Sequence, residues 1–193
     1  MTRQEALVTE LLDGRAAARD ADAFRLVYAE AFAESPYDET EEDVAAVFRH
    51  FPALTRRPAF RAALARTPEG QPVGMAYGWT LPPDAVWWDE LTEPVPAAVR
   101  REDGRRTFGL VELAVRAPWR GRGVARRLHA TLLDGIGTER VLLNVHPEGL
   151  AASAAYRSWG YRKIGEARPR SVDADLHDVM LLDLPTVAGA ARG

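Results

Sequence analysis

The segment that most restricts the possible fold lies between residues 107 and 133. It opens with the strongest strand signal of the chain, TFGLVELAV, and passes Pro118 into the glycine–arginine turn RGRGVA, Arg120–Ala125. Apolar residues at helical spacing follow, and Gly135 and Gly137 end that pattern. A strand that leads through a glycine-rich turn into an amphipathic helix indicates a mixed α/β domain.

The glycine–arginine turn is suited to a phosphorylated ligand. The first N–H groups of a helix have no partner within the helix, the helix dipole adds partial positive charge, and glycine allows close approach. The side chains of Arg120 and Arg122 would add bidentate contacts to phosphate. The run is not a P-loop, and GRGVAR lacks the third glycine of a dinucleotide fingerprint. A turn that simply leads into a basic surface helix is the alternative.

Hydrophobic periodicity in the remaining sequence predicts further strands and helices around one sheet. Pro52 and Pro58 are expected to break the second helix, which opens with a capping box at Thr40 and Asp43. The long connection between Pro82 and Thr107 is expected to form a lid, a binding loop or a short helix. Strands are expected at ALVTELLD, FRAALAR, PVGMAYGWTLPP, RVLLNV, YRKIGEA and HDVMLLDL, and helices around Phe24–Phe32, after Thr40 and at GLAASAAYRSW.

Length and composition limit the class of protein. The 193 residues are enough for one domain, predicted over residues 1–185 with a flexible tail over 186–193. The chain has no cysteine, and its four histidines are scattered, so no metal site is expected. The net charge of −3 and the lack of a long apolar run argue against nucleic acid and membrane partners and favour a cytoplasmic protein. Lys163 is the one lysine among 25 basic residues, a skew typical of a GC-rich bacterial genome.

Two sequence blocks together carry a family resemblance. VELAVRAPWRGRGVARRLHATLL resembles the acetyl-CoA-binding segment of the GNAT superfamily of N-acetyltransferases, with its [RQ]-x-x-G-x-[GA] loop at Arg120–Ala125. VLLNVHPEGLAASAAYRSWGYRKIGE resembles the family's next strand, turn and helix, so the resemblance covers approximately residues 108–166. Gly149 stands where the family often has an asparagine, so that side chain's contact with pantetheine is missing or replaced.

The resemblance implies a GNAT-like α/β (α+β) fold and acetyl-CoA as the cofactor. The expected sheet is mixed and mostly antiparallel, with about six or seven strands, about four flanking helices and splayed parallel central strands. A homodimer is also possible, because family members are often dimers. The resemblance assigns the pantetheine arm to backbone groups of Leu113, Ala114 and Val115, and the pyrophosphate to Arg120, Gly121, Arg122, Gly123, Val124 and Ala125.

For the chemistry, the resemblance implies direct attack of an amine on the acetyl thioester. An alkyl ammonium with a pKa of about 10 must first lose a proton, and a thiolate leaves more easily once protonated. Glu112 is the candidate base, with a structural ion pair as its alternative. Tyr156 is the candidate acid, with simple packing as its alternative. The N–H of Leu113 is the candidate donor to the thioester carbonyl.

The acceptor is predicted less sharply. Carboxylates beside aromatic faces suit a small or medium cationic amine. A protein N-terminus or lysine is the second choice, and a non-catalytic acyl-CoA-binding module is the competing class. The candidate acceptor residues are Tyr37, Trp79, Trp87, Trp88 and Asp89.

Overall fold

The computed structural model describes residues 7–168 and 175–185, and the predicted tail at 186–193 lies outside these ranges. The strands are β1 (Val8–Asp13), β2 (Arg61–Arg66), β3 (Pro72–Thr80), β4 (Thr107–Val115), β5 (Arg140–Val145), β6 (Arg162–Ala167) and β7 (His177–Asp183). The α-helices are α1 (Gly14–Arg19), α2 (Ala21–Phe32), α3 (Glu41–Leu54), α4 (Ala97–Arg100), α5 (Val124–Leu133) and α6 (Leu150–Ser158). Short 3₁₀ helices cover Val86–Glu90 and Ala117–Trp119.

The strands in the described ranges form one sheet in the order β1-β2-β3-β4-β5-β7-β6. Neighbours such as β1 with β2 and β5 with β7 are antiparallel, whereas β4 and β5 are parallel. The parallel pairing joins Thr107–Gly109 to Arg140–Leu142, at the start of both strands. The predicted fold class is confirmed. The helix count is higher than expected because α1 and α4 are short and carry little periodic signal.

The chain divides into two compact units, one of residues up to Trp79 with Leu110–Gly135, the other of Thr80–Gly109 with the residues from Ile136 on. The boundary of a single domain at residue 185 stays a prediction.

An aromatic core fills the first unit. Phe24 of α2 and Phe51 of α3 have ring centroids 5.3 Å apart, and Tyr77 of β3 lies 5.5 Å from Phe51. All three rings are buried. Burial of such rings contributes several kcal/mol of hydrophobic free energy, of order 2–3 kcal/mol for each. The α2 face predicted from helical spacing is therefore the one that packs.

The start of α3 follows the predicted capping box. The N–H of Asp43 donates to Thr40 Oγ1 at 3.3 Å, and the Thr40 N–H donates to Asp43 Oδ2 at 2.9 Å. The break expected at Pro52 is wrong, because the helix continues to Leu54. Pro52 falls in the last turn, where its missing N–H removes only one hydrogen bond before the helix ends.

Gly74 lets helix α5 lie close to β3. A Cβ atom at Gly74 would stand 2.9 Å from Leu128 and 3.1 Å from Val124, both on α5. A helix therefore packs against the face of β3 that carries Gly74.

In the second unit, β7 lies between β5 and β6 and pairs antiparallel with both. The long connection from Pro82 carries a 3₁₀ helix and α4, so the predicted short helix is present. It packs closely on β4, because a Cβ atom at Gly109 would stand 2.5 Å from the Trp87 ring.

Candidate active site

Glu112 lies in the middle of β4 and is partly buried. Strand alternation places it on the same face as Ala114, which is 5% exposed. Ala114 belongs to the apolar cluster of the first unit that also contains Tyr28 and Tyr77. The sequence therefore places a carboxyl group at the edge of an aromatic core.

This environment raises the pKa of the Glu112 carboxyl to about 8. Burial is the main cause, the charge of Glu39 adds to it, and the backbone N–H of Leu113 opposes it by bonding to the carboxylate. In the described part of the chain, no arginine forms an ion pair with Glu112. The structural ion pair considered as an alternative is thus not found there.

Three tyrosines share this surrounding with Glu112. Burial, and next the negative charge of Glu112, raise the pKa of Tyr28, of Tyr37 and of Tyr77 above its usual value. Tyr37 was predicted from sequence as an acceptor contact, and its ring packs edge-on against Phe32 at 4.7 Å. We call Glu39, Glu112 and these three tyrosines the carboxyl–tyrosine cluster.

Glu39 is the second carboxyl of this cluster. Tyr28 Oη donates to Glu39 Oε1 at 2.7 Å, while Glu39 Oε2 is buried without a hydrogen-bond partner. Burial raises the pKa of the Glu39 carboxyl, and the bond from Tyr28 opposes that shift. In the sequence Glu39 is one residue of an acidic run, and its proximity to β4 arises only from the tertiary fold.

The glycine–arginine turn has the backbone that an anion cradle needs. Gly121 and Gly123 have φ of 71° and 76°, in the left-handed region that favours glycine. Gly123 is the N-cap of α5 and makes no side-chain cap bond. No atom lies within 4 Å of an added Cβ at either glycine, so the turn is open. An open turn of N–H groups at the start of a ten-residue helix fits the pyrophosphate of acetyl-CoA.

The two arginine side chains of this turn are engaged with protein groups. Arg120 donates to Val115 O at 3.1 Å and to Ala31 O at 3.0 Å, and it pairs with Glu34 at 3.2 Å. The guanidinium of Arg122 lies 5.2 Å from the centroid of the Trp119 ring. The guanidinium of Arg120 thus ties β4 to α2, and its backbone N–H donates to Ala117 O at 3.2 Å.

The other cofactor candidates of the first unit lie beside Glu112 and at the start of α5. Ala114 and Val115 are buried at the end of β4. Val124 is buried in the first turn of α5, and Ala125 follows it half-buried. The Leu113 N–H lowers the pKa of the Glu112 carboxyl, and its predicted role in polarising the thioester carbonyl stays a prediction.

Tyr156 lies on α6 in the second unit and is 8% exposed. Its ring meets Trp159 and Tyr161 edge-on, with centroids 5.5 and 5.4 Å away. The peptide N–H of Tyr161 donates to Tyr156 O at 3.0 Å, which fixes the end of the helix. The ring is firmly held, and its role as an acid stays a prediction.

Two candidate acceptor contacts are already paired within the protein. The guanidinium of Arg57 lies 4.5 Å from the Trp79 ring centroid and takes the cation–π position. Asp89 is exposed and pairs with Arg100 at 2.6 Å. A cationic acceptor would have to displace these partners.

The two tryptophans of the long connection, Trp87 and Trp88, differ in burial. Trp88 is 4% exposed, and its indole N–H donates to Glu102 at 2.9 Å, which corresponds to a structural role. Trp87 is half-buried, and its indole N–H donates to Asn144 Oδ1 at 2.9 Å. Asn144 interrupts the apolar run RVLLNV, and that polar interruption was the signal that could have identified it.

Neither a metal centre nor a membrane span is found in the ranges 7–168 and 175–185. Within them, no group of three or more histidine, aspartate or glutamate side chains is placed to hold a metal ion. No described helix is both long enough and apolar enough to cross a membrane. Burial lowers the pKa of His129, on α5, to about 4, so its ring is a packed neutral group.

The acetyltransferase (GNAT) family matches the chain over residues 22–161. A curated relative, an uncharacterized protein from Mycobacterium leprae (strain TN), is 43% identical over 70 residues. That alignment covers 36% of this chain and 19% of the relative, so the chain corresponds to about a fifth of that protein's length.

Solved structures resemble the chain over most of its length. A protein from Pyrococcus horikoshii OT3 has a TM-score of 0.66 at 16% identity, covering 93% of this chain and 99% of that one. A putative acetyltransferase from Salmonella typhimurium, solved with its cofactor acetyl-CoA, has a TM-score of 0.62 at 16% identity, covering 97% and 98%. At these identities the likeness establishes the fold.

Proposed function

Since the chain belongs to the GNAT family of acetyltransferases and is therefore an acyltransferase that uses acetyl-CoA, we propose that its acceptor is the primary amine of a small or medium-sized cationic molecule. The amine attacks the acetyl thioester directly. Glu112 takes the proton from the acceptor ammonium, and Tyr156 provides a proton to the departing thiolate.

The surroundings of Glu112 carry this proposal. A carboxyl with its ordinary pKa near 4.5 is a poor match for an ammonium whose pKa is about 10. The pKa of about 8 at Glu112 brings the two groups closer, and the carboxyl is ionised to about a tenth at pH 7 and to about half at pH 8. A general base of this kind contributes about 10²–10⁴-fold to the rate.

When bound, acetyl-CoA supplies an acetyl thioester as the group to be transferred. The backbone N–H groups from Gly121 to Ala125 would hold its pyrophosphate, because the open turn leads straight into the N-terminus of α5. Backbone groups of Leu113–Val115 would bind the pantetheine arm, in the manner of an added strand.

The cationic acceptor class is supported by the carboxyl–tyrosine cluster. Glu34 and Asp89 already have arginine partners, whereas no arginine is paired with Glu112 among the described residues. The negative charge of Glu39, joined by that of Glu112 once it ionises near pH 8, favours a protonated amine over a neutral one.

The cofactor site is tested by calorimetric titration with acetyl-CoA. Gly123→Trp is expected to lose binding, because the side chain fills the open turn and its backbone is left-handed. Gly137→Trp is the matched control, since Gly137 is also open and does not have a positive φ. Equal binding by both variants would place the pyrophosphate elsewhere.

The reaction is tested by release of free CoA thiol with a panel of diamines, amino sugars, amino acids and short peptides. Glu112→Gln and Tyr156→Phe are expected to lower kcat/KM, while Glu42→Gln, which removes an exposed charge at the start of α3, is the control. Unchanged turnover in Tyr156→Phe with intact acetyl-CoA binding would remove the acid role. Faster transfer to peptides than to every small amine would replace the proposed acceptor class.

A further inference from the structure

Residues from three elements of the second unit hold Trp87 in place. The 3₁₀ helix Val86–Glu90 carries it, and its indole N–H donates to Asn144 Oδ1 on β5 at 2.9 Å. Its ring lies over Gly109 of β4, where an added Cβ atom would stand 2.5 Å from the ring. A larger residue at position 109 would therefore displace the indole.

Anchoring of the long connection does not account for this placement of Trp87. The next residue, Trp88, is 4% exposed and is bonded to Glu102, which also pairs with Arg140 of β5. Trp88 therefore fastens the connection to the sheet. Trp87 stays half-buried, so part of its indole is accessible to a ligand.

The bond from Trp87 fixes the direction of the Asn144 amide. An indole N–H only donates, so the amide oxygen lies toward Trp87 and the NH₂ group lies on the other side. Among the described residues this is the one hydrogen bond of the Asn144 side chain, and the NH₂ group is not among the buried atoms that lack a partner. The NH₂ group is thus an accessible donor that the protein has already oriented.

Asn144 lies on β5 just beyond its parallel pairing. The ladder between β4 and β5 ends at Gly109 and Leu142, two residues before Asn144. Strand alternation puts Asn144 on the same face as Leu142, and β7 pairs with its other backbone edge through Val179. A molecule bound past the end of the ladder can therefore reach both the amide and the indole.

We propose that Asn144, oriented by Trp87, determines acceptor specificity: its NH₂ group donates to a hydroxyl or carbonyl oxygen on the carbon next to the one that bears the reacting amine. The proposal deepens the proposed function and rests on it, because it concerns the molecule that receives the acetyl group. An amide NH₂ cannot accept a hydrogen bond from an ammonium, so it selects the neighbouring oxygen and not the amine itself. The Trp87 ring covers the apolar carbons beside it.

The test compares two acceptors, ethanolamine and propylamine, in which a methyl group replaces the hydroxyl. Release of free CoA thiol gives kcat/KM for both with the same enzyme preparation, so their ratio does not depend on the folded fraction. Asn144→Leu keeps a side chain of similar size and removes the donor. It is expected to lower the ethanolamine-to-propylamine ratio by about tenfold.

Two further variants sharpen the comparison. Trp87→Phe keeps an aromatic ring over Gly109 and removes the N–H that orients the amide. It is expected to lower the same ratio by less than Asn144→Leu does, because the amide can still donate in one of its two orientations. Val86→Ala changes a residue of the same 3₁₀ helix that is 50% exposed, and it should keep the wild-type ratio.

The outcomes separate this proposal from the proposed function. An unchanged ratio in Asn144→Leu overturns the proposal even if both rates fall, because the amide would then act on a part of the reaction that both acceptors share. A lower affinity for acetyl-CoA in calorimetry, with an unchanged ratio, also overturns it and assigns Asn144 to the cofactor. If wild type binds acetyl-CoA but acetylates neither amine, the proposed acceptor class fails together with this proposal, and no variant is needed to see that.

Discussion

Glu102 in the second unit and Glu112 in the first both lie among buried aromatic residues, but their neighbours differ in charge. Glu102 Oε1 accepts from the Trp88 indole at 2.9 Å, from Thr107 Oγ1 at 2.7 Å and from the Arg140 guanidinium at 3.0 Å. The side chains of the Glu102–Arg140 pair are 1% and 5% exposed. This carboxylate has an opposite charge and several donors.

Glu112 has the opposite kind of surrounding. Its neighbours are tyrosines and the second carboxylate of Glu39, and no described arginine pairs with it. A paired buried carboxylate holds structure together, whereas an unpaired one reduces stability when ionised and stays available to take a proton. This difference separates a structural carboxylate, Glu102, from a chemical one, Glu112.

The largest effect is expected for Glu102→Gln. The amide keeps an acceptor for Trp88 and Thr107 but leaves the Arg140 charge buried without a partner. Breaking a buried pair in this way costs about 3–5 kcal/mol. Urea unfolding followed by fluorescence measures the loss. A loss of unfolding free energy below about 1 kcal/mol would show that the Glu102–Arg140 pair contributes little to the stability of the second unit.

Next in size is the activity of Glu112→Gln. Because the amide cannot accept a proton from an ammonium, kcat/KM is expected to fall by about 10²-fold or more. The fall should be greatest above pH 8, where the wild-type carboxylate is ionised. Free-thiol release across pH 6–9.5 measures it. A loss confined to KM would indicate that Glu112 binds the acceptor without moving its proton.

The pH dependence of stability should differ between wild type and Glu112→Gln. The pKa of Glu112 is about 8 in the folded chain and has the ordinary value of 4.5 in the unfolded chain. Between these two pH values the folded chain therefore keeps a proton that the unfolded chain has released. Wild type therefore loses stability as pH rises through this window, and the loss is complete above the folded pKa.

Glu112→Gln has no such proton to lose. Its advantage over wild type is expected to be near zero at pH 4, to grow between these two pKa values and to level off by pH 9, with a matching rise in Tm. Thermal scans in matched buffers give the comparison. An advantage that does not grow with pH would mean that Glu112 ionises as an ordinary surface carboxyl does.

The smallest effect is expected for Asp89→Asn. Asp89 and Arg100 are about half exposed, at 49% and 46%, and solvent and salt screen such pairs. The loss of stability should be below about 0.5 kcal/mol. If Asp89→Asn lost more than about 1 kcal/mol of stability and added salt did not change that loss, the distinction between exposed and buried carboxylates would be contradicted.

Local sequence signals predicted much of the fold. The capping box at Thr40 and Asp43, the glycine turn before Val124 and the alternating strands all depend on residues close in sequence, and the structure contains them. The error at Pro52 arose because a proline near the end of a helix interrupts little. The short helices α1 and α4 show almost no periodicity.

The candidate site was harder to predict because its properties depend on distant partners. Glu112 was visible as a carboxyl in an apolar strand, but the sequence did not show that Glu39 lies close enough to act on it. Trp79 and Asp89 stay predicted acceptor contacts, and the sequence did not show that Arg57 and Arg100 lie against them. Such pairings arise from tertiary packing and leave no periodic trace in the sequence.

The most direct test of the account is the titration of the Glu112 carboxyl in the wild-type protein by carbon-13 NMR, with the signal assigned by its absence in Glu112→Gln. The account predicts a midpoint near pH 8, so that the group is protonated at pH 6 and ionised at pH 9.5. A midpoint near the ordinary 4.5 would contradict it, because Glu112 would then be a solvated carboxylate and a poor base for an ammonium.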